Sequence, residues 1–444
     1  MTVGKAHIVL LAIAASLATA RVEAQAPVAL TLEAAIDRAL DASHQLAEGR
    51  AREAGARAAV EVRQTADKPT VQVSGAYTRT NHVDEFGVPQ PNGGLRVIYP
   101  DLPNNLTSRL SVAWPIYTGG RTDALERAAE AEARAAAADI ETTRADLRLE
   151  VTRAYWALAT ATESVRVLEE ALKRADRHLA DVRSRLDVGL VPPNDVLSAE
   201  AQRARQQLQL IEARNLREAA ATDLRRLTGL EPDQPVVAAD RLEPAPAAQG
   251  QAPPPAALVD QALSARPERK ALQIRIEGAE ARQDAALLAR RPTVAAVGGV
   301  DYANPNPRIF PRADKWQPSW DLSLSVNWSL WDAGRSKAEA AEAAAQATAV
   351  KERLADLDTR VAADVRQRLL DIDSGRAAIE AAEVGVRAAD EARRVVTERY
   401  DAGVATNTDV LDAEVALLEA QLDRTRALAG VRLAEARLDR VLGR

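Results

Sequence analysis

The segment RYDAGVATNTDVLDA, residues 399–413, occurs a second time in related form as RLDVGLVPPNDVLSA, residues 185–199. The two copies lie 214 positions apart (399 minus 185), and the same spacing aligns 114–229 with 328–443 without a gap. Upstream, matching prolines lie 223 positions apart (292 minus 69), so the difference of nine (223 minus 214) falls in a loop between two predicted strands. Similarity at a constant spacing is typical of a duplicated structural unit, so the chain is predicted to contain one unit twice.

The first residues are typical of a signal peptide. Lys5 precedes a short apolar run, and small residues offer cleavage positions after Ala20 and after Ala24. The run is too short for a membrane-spanning helix, which needs about 20 residues. The mature chain is therefore predicted to leave the cytoplasm.

We predict four segments along the chain. They are a signal peptide at 1–24, a first repeat at 25–229, a proline-rich linker at 230–255 and a second repeat at 256–444. The linker contains seven prolines between Glu231 and Pro255. Proline disrupts helix interiors, so this segment is expected to be an extended connector between the repeats.

Each repeat is predicted to begin with a helix, at 32–66 and at 256–290, and to continue with two strands of about ten residues. The last strand has the clearest pattern, since apolar and polar residues alternate from Trp320 to Leu330. This length suits a tilted strand in a membrane β-barrel.

Aromatic residues cluster where the predicted strands end, as in the interfacial belt of a membrane protein. These candidate membrane-interface residues are Trp114, Tyr117, Trp328 and Trp331. The segments 81–105 and 303–318 are rich in proline and asparagine and are predicted to be exposed loops. The pattern of the strands alone leaves open a half-buried sheet in a soluble domain.

The third part of each repeat is predicted to be a very long helix. Arg121 to Val188 contains neither glycine nor proline, and Arg335 to Ala402 contains no proline. At 1.5 Å per residue each helix would be roughly 100 Å long. Apolar residues follow a heptad with a stutter, which is typical of a coiled coil; they are Val350, Leu354, Leu357, Val361, Val365, Leu369 and Ile372.

A glycine turn at Gly189 or Gly403 is predicted to follow, and then a helix of about 35 residues. The N-terminal caps of these last helices are expected from Asn194 with Asp195, and from Thr406 with Asp409. Two short helices together match the length of one long helix. They are therefore predicted to stack end to end alongside it.

The composition excludes several classes of site and partner. There is no cysteine, so disulfides and thiolate metal sites are excluded, and a net charge of −6 argues against nucleic acid. Catalytic, cofactor and metal sites are not predicted, because the histidines share no motif spacing; they are His7, His44, His82 and His178. The chain is predicted not to be an enzyme.

Four strands per chain cannot close a barrel, and an open sheet edge cannot remain in lipid. Two or more copies must therefore share one barrel. Strand spacing alone does not choose between two and three copies.

The duplicated unit and its tip motif, Arg-Tyr-Asp-Ala-Gly with Asp-Val-Leu-Asp-Ala at 399–413, resemble the TolC outer-membrane factors. The resemblance covers nearly the whole chain after the signal peptide. It implies an α+β membrane protein, a homotrimer with a shared 12-stranded β-barrel in outer-membrane lipid and a long periplasmic α-helical barrel. The implied function is a passive exit duct for efflux or type I secretion in a Gram-negative outer membrane, docked to a periplasmic adaptor and an inner-membrane transporter.

The resemblance also assigns a pore gate at the helical tips. Asp409 and Asp412 match the constriction aspartates of the family, while the alternative is that Asp409 only caps a helix. Tyr400 and Asp195 match a pair that ties the inner helical hairpin to the outer one, so a latch is expected in which the Tyr400 hydroxyl donates to the Asp195 carboxylate. The family's second tie uses an arginine where this chain has Ala405, so a weaker latch is expected.

Four tip residues are expected to meet the adaptor; they are Gly189, Leu190, Gly403 and Val404. The alternative for these residues is turn geometry alone. The alternative classes of protein are a periplasmic coiled-coil adaptor and a structural fibrous coiled coil. Drugs, metal ions, metabolites and polypeptides would all pass through a similar tunnel, so all four classes of cargo stay open at this point.

Overall fold

The computed structural model describes residues 27–243 and 253–444. The predicted signal peptide at 1–24 and the linker positions 244–252 lie outside the described residues. Within the described ranges the chain forms eight strands and eight helices. In chain order they are β1 (Val28–Leu30), α1 (Leu32–Ala42), α2 (His44–Gln64), β2 (Thr70–Arg79), β3 (Phe86–Pro89), β4 (Leu95–Tyr99), β5 (Asn104–Tyr117), α3 (Arg121–Asp187), α4 (Pro193–Thr228), β6 (Val236–Ala238), α5 (Pro255–Ala265), α6 (Pro267–Leu288), β7 (Thr293–Asn304), β8 (Gln317–Asn327), α7 (Arg335–Asp401) and α8 (Asn407–Val441).

Two strands from each repeat form one antiparallel sheet in the order β2-β5-β7-β8. The two repeats therefore meet at the β5–β7 pair. Within the described residues, the outer edges of β2 and β8 have no strand partner. This sheet is an open segment whose edges retain unpaired backbone groups.

The sheet has one apolar and one polar face, as the alternating sequence predicts. Val73, Leu110, Val300 and Trp320 are register partners across the four strands, and all four are exposed. The neighbouring row on the other face consists of Ser74, Arg109, Asp301 and Ser319. An exposed apolar face of this extent is typical of a surface that contacts lipid or another chain.

Two details of the strands differ from the prediction. The strand expected to reach Leu330 ends at Asn327, which pairs with Thr293, the first residue of the neighbouring strand β7. The segment 81–105, predicted to be only a loop, contains the β3–β4 hairpin.

The helices form four columns. Helices α2 and α4 lie in the first column, α3 in the second, α6 and α8 in the third and α7 in the fourth. The long helices and the stacking of short helices beside them are therefore confirmed. Although α3 and α7 both have 67 residues, α3 has 20 buried residues and α7 only 7, because α7 has a neighbouring column on one side only.

In the described part of the chain, none of the helices has the combination of length and apolar composition that crossing a membrane would require.

The first helix of each repeat is broken into two, whereas one continuous helix was predicted. Ser43 has an extended backbone and its hydroxyl accepts from the Leu46 amide, so it ends α1 and caps α2. Arg266 occupies the matching position and precedes Pro267, which disfavours a helical conformation there. Each break lets the chain bend at the middle of the helical wall.

Both breaks pack against a glycine that ends the last helix of the repeat. Gly229 has φ +64°, and a Cβ added there would lie 2.7 Å from the Ala42 Cβ. Gly443 has φ +77°, and its added Cβ would lie 3.0 Å from Ala265. The positions are related by the internal repeat, so the same close approach occurs twice.

The described part of the linker returns to the first repeat. β6 pairs in parallel with β1, and the Tyr155 hydroxyl lies 3.0 Å from the Leu30 carbonyl and 2.7 Å from Asp240 Oδ2. Burial raises the pKa of Tyr155. The linker is thus fixed to α3 at the middle of the wall.

Replacing Gly229 with alanine is expected to cost about 1–2 kcal/mol, because a non-glycine residue in a left-handed conformation is strained and the new Cβ has no room. Gly430→Ala is the matched control, since a Cβ there meets nothing within 4 Å and alanine favours a helix interior by about 0.5–1 kcal/mol. Unfolding of the two variants in detergent, followed by circular dichroism, measures the difference. Equal stabilities would contradict the proposed packing role of Gly229.

Candidate functional site

The candidate site lies at the ends of the two helical hairpins, far from the sheet. Gly189 has φ +77° and Gly403 has φ +74°, as the predicted turns require. Backbone bonds from Leu190 to the Arg185 carbonyl (2.8 Å) and from Val404 to the Arg399 carbonyl (2.9 Å) close the ends of α3 and α7. Neither glycine has a heavy atom within 4 Å of an added Cβ, so backbone conformation alone selects glycine there.

The caps of the returning helices differ between the repeats. In the second repeat, Thr406 and Asp409 form the predicted capping box. In the first repeat, the cap predicted from Asn194 and Asp195 is absent, since α4 starts at Pro193 and has no side-chain cap bond. Proline at the first helical position has a suitable φ and no N–H to satisfy.

Asp409 is exposed and its Oδ2 accepts from the Thr406 amide at 2.8 Å and from the Thr406 hydroxyl at 2.7 Å. These bonds hold the pKa of Asp409 below its usual value. Asp412 lies three residues further and is exposed as well. The two carboxylates therefore lie near one face of the helix start, as predicted, and Asp409 also caps the helix.

The predicted hydrogen bond between Tyr400 and Asp195 does not form. Tyr400 is 6% exposed, and its hydroxyl has no partner among the described residues. The side chain packs among apolar residues of α3, α4 and α8, where burial raises the pKa of Tyr400. The ring is held by these apolar contacts and by the Arg185 guanidinium, and not by a hydrogen bond to Asp195.

An ion pair, and not the predicted hydrogen bond, joins the hairpins at this place. The Arg185 guanidinium lies 4.5 Å from the Tyr400 ring centroid, and its Nη2 is 2.5 Å from Asp401 Oδ1. The resemblance places an arginine tie only at the position of Ala405, so Arg185 was not predicted. A signal was present, because Arg185 and Arg399 occupy the same position of the Arg-x-Asp-x-Gly motif.

Asn407 connects three helices below the turns. His178 Nε2 on α3 is 2.7 Å from Asn407 Oδ1, and Asn407 Nδ2 donates to the Asp195 carbonyl on α4 at 3.2 Å. Asp195 therefore takes part in joining the hairpins, through its backbone rather than its carboxylate.

An almost buried ion pair lies further from the turns, between Arg174 of α3 and Glu414 of α8. Arg174 Nε donates to Glu414 Oε2 at 2.7 Å, with side chains 15% and 12% exposed. Arg393 of α7 approaches the other oxygen of Glu414 at 3.7 Å. Glu414 thus links α8 to the long helices on both sides.

The outermost surface of the tips is apolar. Leu190 is 74% exposed and Val404 is 63% exposed, each directly after the turn glycine. Turn geometry does not require large apolar side chains at these two positions.

The predicted interfacial aromatics lie where the sheet meets the helices. The indole N–H groups of Trp114 and Trp328 donate to the carbonyls of Asp67 and Arg290, both at 3.1 Å, at the ends of the preceding helical segments. Tyr117 and Trp331 also lie at this end of the sheet, and all four are exposed.

A second group of exposed aromatics at the far end of the sheet was missed. The Tyr302 and Trp316 rings stack at 5.0 Å, and Trp320 is 75% exposed on the same apolar face. Two aromatic groups at opposite ends of an apolar band are typical of the two interfaces of a membrane.

Within residues 27–243 and 253–444, there is no group of three or more histidine, aspartate or glutamate side chains arranged to hold a metal ion.

Comparison with known proteins identifies relatives over nearly the whole chain. The profile of the family described as outer membrane efflux protein matches residues 35–230 and 258–444. Protein CyaE of Bordetella pertussis is 29% identical over 90% of this chain and 83% of its own length. Outer membrane protein TolC of Vibrio cholerae is 25% identical over 71% of this chain and 72% of its own length.

The fold is similar to that of solved outer-membrane channels. The crystal structure of the outer membrane protein VceC from Vibrio cholerae superposes with a TM-score of 0.75 and 21% sequence identity. The match covers 93% of this chain and 96% of the other.

Replacing Glu414 with alanine is expected to destabilise the hairpins by about 3–5 kcal/mol, because Arg174 keeps a charge without a partner in a nearly buried place. Glu419→Ala on the same helix is the control, since Glu419 is exposed and has no ion pair in the described structure, and should change stability by less than about 0.5 kcal/mol. Urea unfolding followed by circular dichroism measures both. The double variant Arg174→Met/Glu414→Leu should regain most of the loss; if it is as unstable as Glu414→Ala, the buried charge is not the cause.

Proposed function

This chain belongs to the outer membrane efflux protein family, and we propose that three copies of it close into one continuous tunnel. As a member of the family it is an exit duct of the outer membrane that extends into the periplasm and functions in efflux or secretion. It is a conduit and not an enzyme. The family match excludes the alternatives of a periplasmic adaptor and of a fibrous coiled coil.

The observation that carries the trimer proposal is that, among the described residues, the free edges of the four-stranded sheet and of the helical wall coincide on two sides. One side has the free edge of β2 and the first helical column, α2 and α4. The other side has the free edge of β8 and the fourth column, α7. A second copy can therefore pair with the free strand and cover the free helical column at the same time. Closing the ring leaves neither of these edges exposed.

Exposed apolar residues on the two outer columns support this contact. On α4 they are Leu197, Leu208, Ile211 and Leu216, and on α7 they are Leu370, Val384 and Val395. Coiled-coil packing between neighbouring copies would bury both stripes.

Three copies give twelve strands, and two give eight. Eight strands leave an interior that side chains fill, whereas a passage for cargo needs a wider barrel. Channels of this family work as trimers in general, and that supports three copies here. The repeats 25–229 and 256–444, the linker 230–255 and the signal peptide 1–24 are the proposed divisions of each copy.

The tips are the proposed gate. Asp409 and Asp412 would form two rings of three carboxylates around the narrow end, which favours the passage of cations. Arg185, bonded to Asp401 and supported by the Tyr400 ring, would hold each inner hairpin against its outer neighbour. Asp195 contributes through its carbonyl bond to Asn407.

Family members operate with a periplasmic adaptor and an inner-membrane pump. We propose that the adaptor contacts the exposed tip residues and supplies the connection to an energised transporter; these residues are Gly189, Leu190, Gly403 and Val404. The aromatics Trp114, Tyr117, Trp328 and Trp331 would lie at the periplasmic interface of the lipid, and Tyr302, Trp316 and Trp320 at the outer one.

The trimer proposal is tested with outer membranes of cells that produce the protein. Unheated samples in dodecyl sulfate should give a band near three times the mass of the mature chain, and boiled samples a single-chain band. Native mass spectrometry in detergent provides a second measurement. A monomeric mass in both would overturn the trimer proposal.

Asp412→Asn is expected to lower the preference of the channel for cations over anions by roughly threefold, because a ring of charges is lost from the narrowest place. Asp409→Asn should act in the same direction while keeping an oxygen for the helix cap. Asp233→Asn removes an exposed charge far from the tips and is the control. Reversal potentials in planar bilayers with a salt gradient measure the selectivity; unchanged potentials in both tip variants would exclude the gate assignment.

Arg185→Ala is expected to raise single-channel conductance by roughly twofold, since the pair that holds the hairpins together is removed and the narrow end widens. Tyr400→Phe should leave conductance unchanged, because the ring remains and the hydroxyl has no partner. The opposite ranking of these two variants would restore the predicted Tyr400 hydrogen bond as the latch.

A further inference from the structure

The connection between β7 and β8 does not extend away from the sheet but folds back onto its polar face. Asn306 is 1% exposed, and its Nδ2 donates to the Gln317 carbonyl at 2.8 Å and to the Ser319 hydroxyl at 3.0 Å. Ser319 belongs to the polar row of the sheet. Ala303, on the same face, is fully buried. The first half of this connection, residues 305–309, is called the return turn below.

A four-membered charge cluster holds the return turn. Arg109 Nη1 lies 2.6 Å from Asp301, and its Nη2 lies 2.9 Å from Asp321. Arg308 of the return turn lies 2.8 Å from Asp321 and 3.7 Å from Asp301. Each carboxylate thus contacts two guanidinium groups, one from the sheet and one from the turn.

A glycine in β7 leaves room for this charge cluster. A Cβ added at Gly299 would lie 2.8 Å from Arg109 Nη2 and 3.0 Å from the Leu110 carbonyl. Glycine at this place allows the Arg109 guanidinium to cross β7 from Asp301 towards Asp321. The arrangement spans β5, β7, β8 and the turn, so it fixes the turn relative to three strands.

We propose that Arg308 and Asn306 hold the return turn inside the outer mouth of the duct, where it limits the size of what passes. This inference rests on the proposed function, because the polar face becomes the lumen only when copies close the barrel. The apolar face would then contact lipid, and β7 and β8 meet at the end of the sheet remote from the helices. Each copy would place one return turn at the mouth.

A restriction at this end acts independently of the gate at the helical tips. The tips limit entry from the periplasm, and the return turns limit the final exit. Arg308 is therefore a specificity-determining residue for cargo size, and Asn306 is a positioning residue that acts through the backbone of the turn.

The absence of cysteine from the sequence makes the test direct, since one introduced cysteine is a unique probe. Ser323→Cys places a thiol on the polar face of β8, and Leu324→Cys places one on the neighbouring apolar position; both positions are exposed. Intact cells are treated from outside with maleimides attached to polyethylene glycols of increasing size, so that the state of the tip gate does not matter. Labelling rates are read as mass shifts of the protein.

A small charged maleimide is expected to label Ser323→Cys and not Leu324→Cys. If neither is labelled, or Leu324→Cys reacts faster, the lumen assignment and with it the proposed barrel fail. With a bulky reagent, Ser323→Cys combined with Arg308→Ala should react at least about fivefold faster than Ser323→Cys alone, since pore width sets access.

Two further variants distinguish a specific effect of the return turn from a general loosening of the barrel. Arg308→Lys keeps the charge and should restore most of the size restriction. Arg96→Ala removes an exposed arginine of β4 that has no ion pair in the described structure, and should leave the rates unchanged. If bulky and small reagents label Ser323→Cys equally fast with and without Arg308, in trimers that resist dodecyl sulfate, the inference is wrong while the proposed function stands.

Discussion

The backbone hydrogen bonds at the edges of the four-stranded sheet are the constraint on which the rest of this structure depends. In water an open edge is tolerated, but in hydrocarbon each unpaired N–H or C=O costs several kcal/mol. The apolar face of the sheet is exposed along its whole width, so its surroundings are apolar and both edges must be paired. The helical wall also has exposed edges, because α7 packs against a neighbouring column on one side only. The proposed closure into a trimer would satisfy the edges of both parts at once.

Much of this fold could be predicted because periodic patterns in the sequence indicate it. The internal spacing gave the duplication, the absence of proline gave the long helices, and the strict alternation gave the two-faced sheet. These signals are local and repeated, so they can be recognised without knowledge of tertiary contacts. The bends at Ser43 and Arg266 were missed although each has a local signal, a serine that can cap a helix and the proline at 267. The close approach of a glycine at each bend has no such signal. No local pattern reports that Gly229 lies against Ala42.

The tips show the same division between local and tertiary information. The turn glycines and the Thr406–Asp409 cap follow from short-range rules and are present. The partner of Tyr400 was predicted from resemblance, and in the structure its ring is buried beside Arg185 while its hydroxyl is unbonded. The rotation of α3 relative to α7 decides which charged side chains pair across the hairpins. The internal repeat alone does not determine this rotation. The roles of the aspartates in a gate remain a prediction that concerns the assembled duct.

The join between β5 and β7 has a consequence for how the duct is assembled. This pair connects the two repeats within one chain, so half of the lateral joints of a closed ring form at the high effective concentration of a linked pair. Only the joints between β8 and β2 of neighbouring copies require an encounter of separate molecules. In the proposed ring of three copies, assembly would need two encounters between molecules before the last joint closes, whereas six unlinked half-units would need five. A dilute chain can form its own four-stranded sheet before it meets a neighbour.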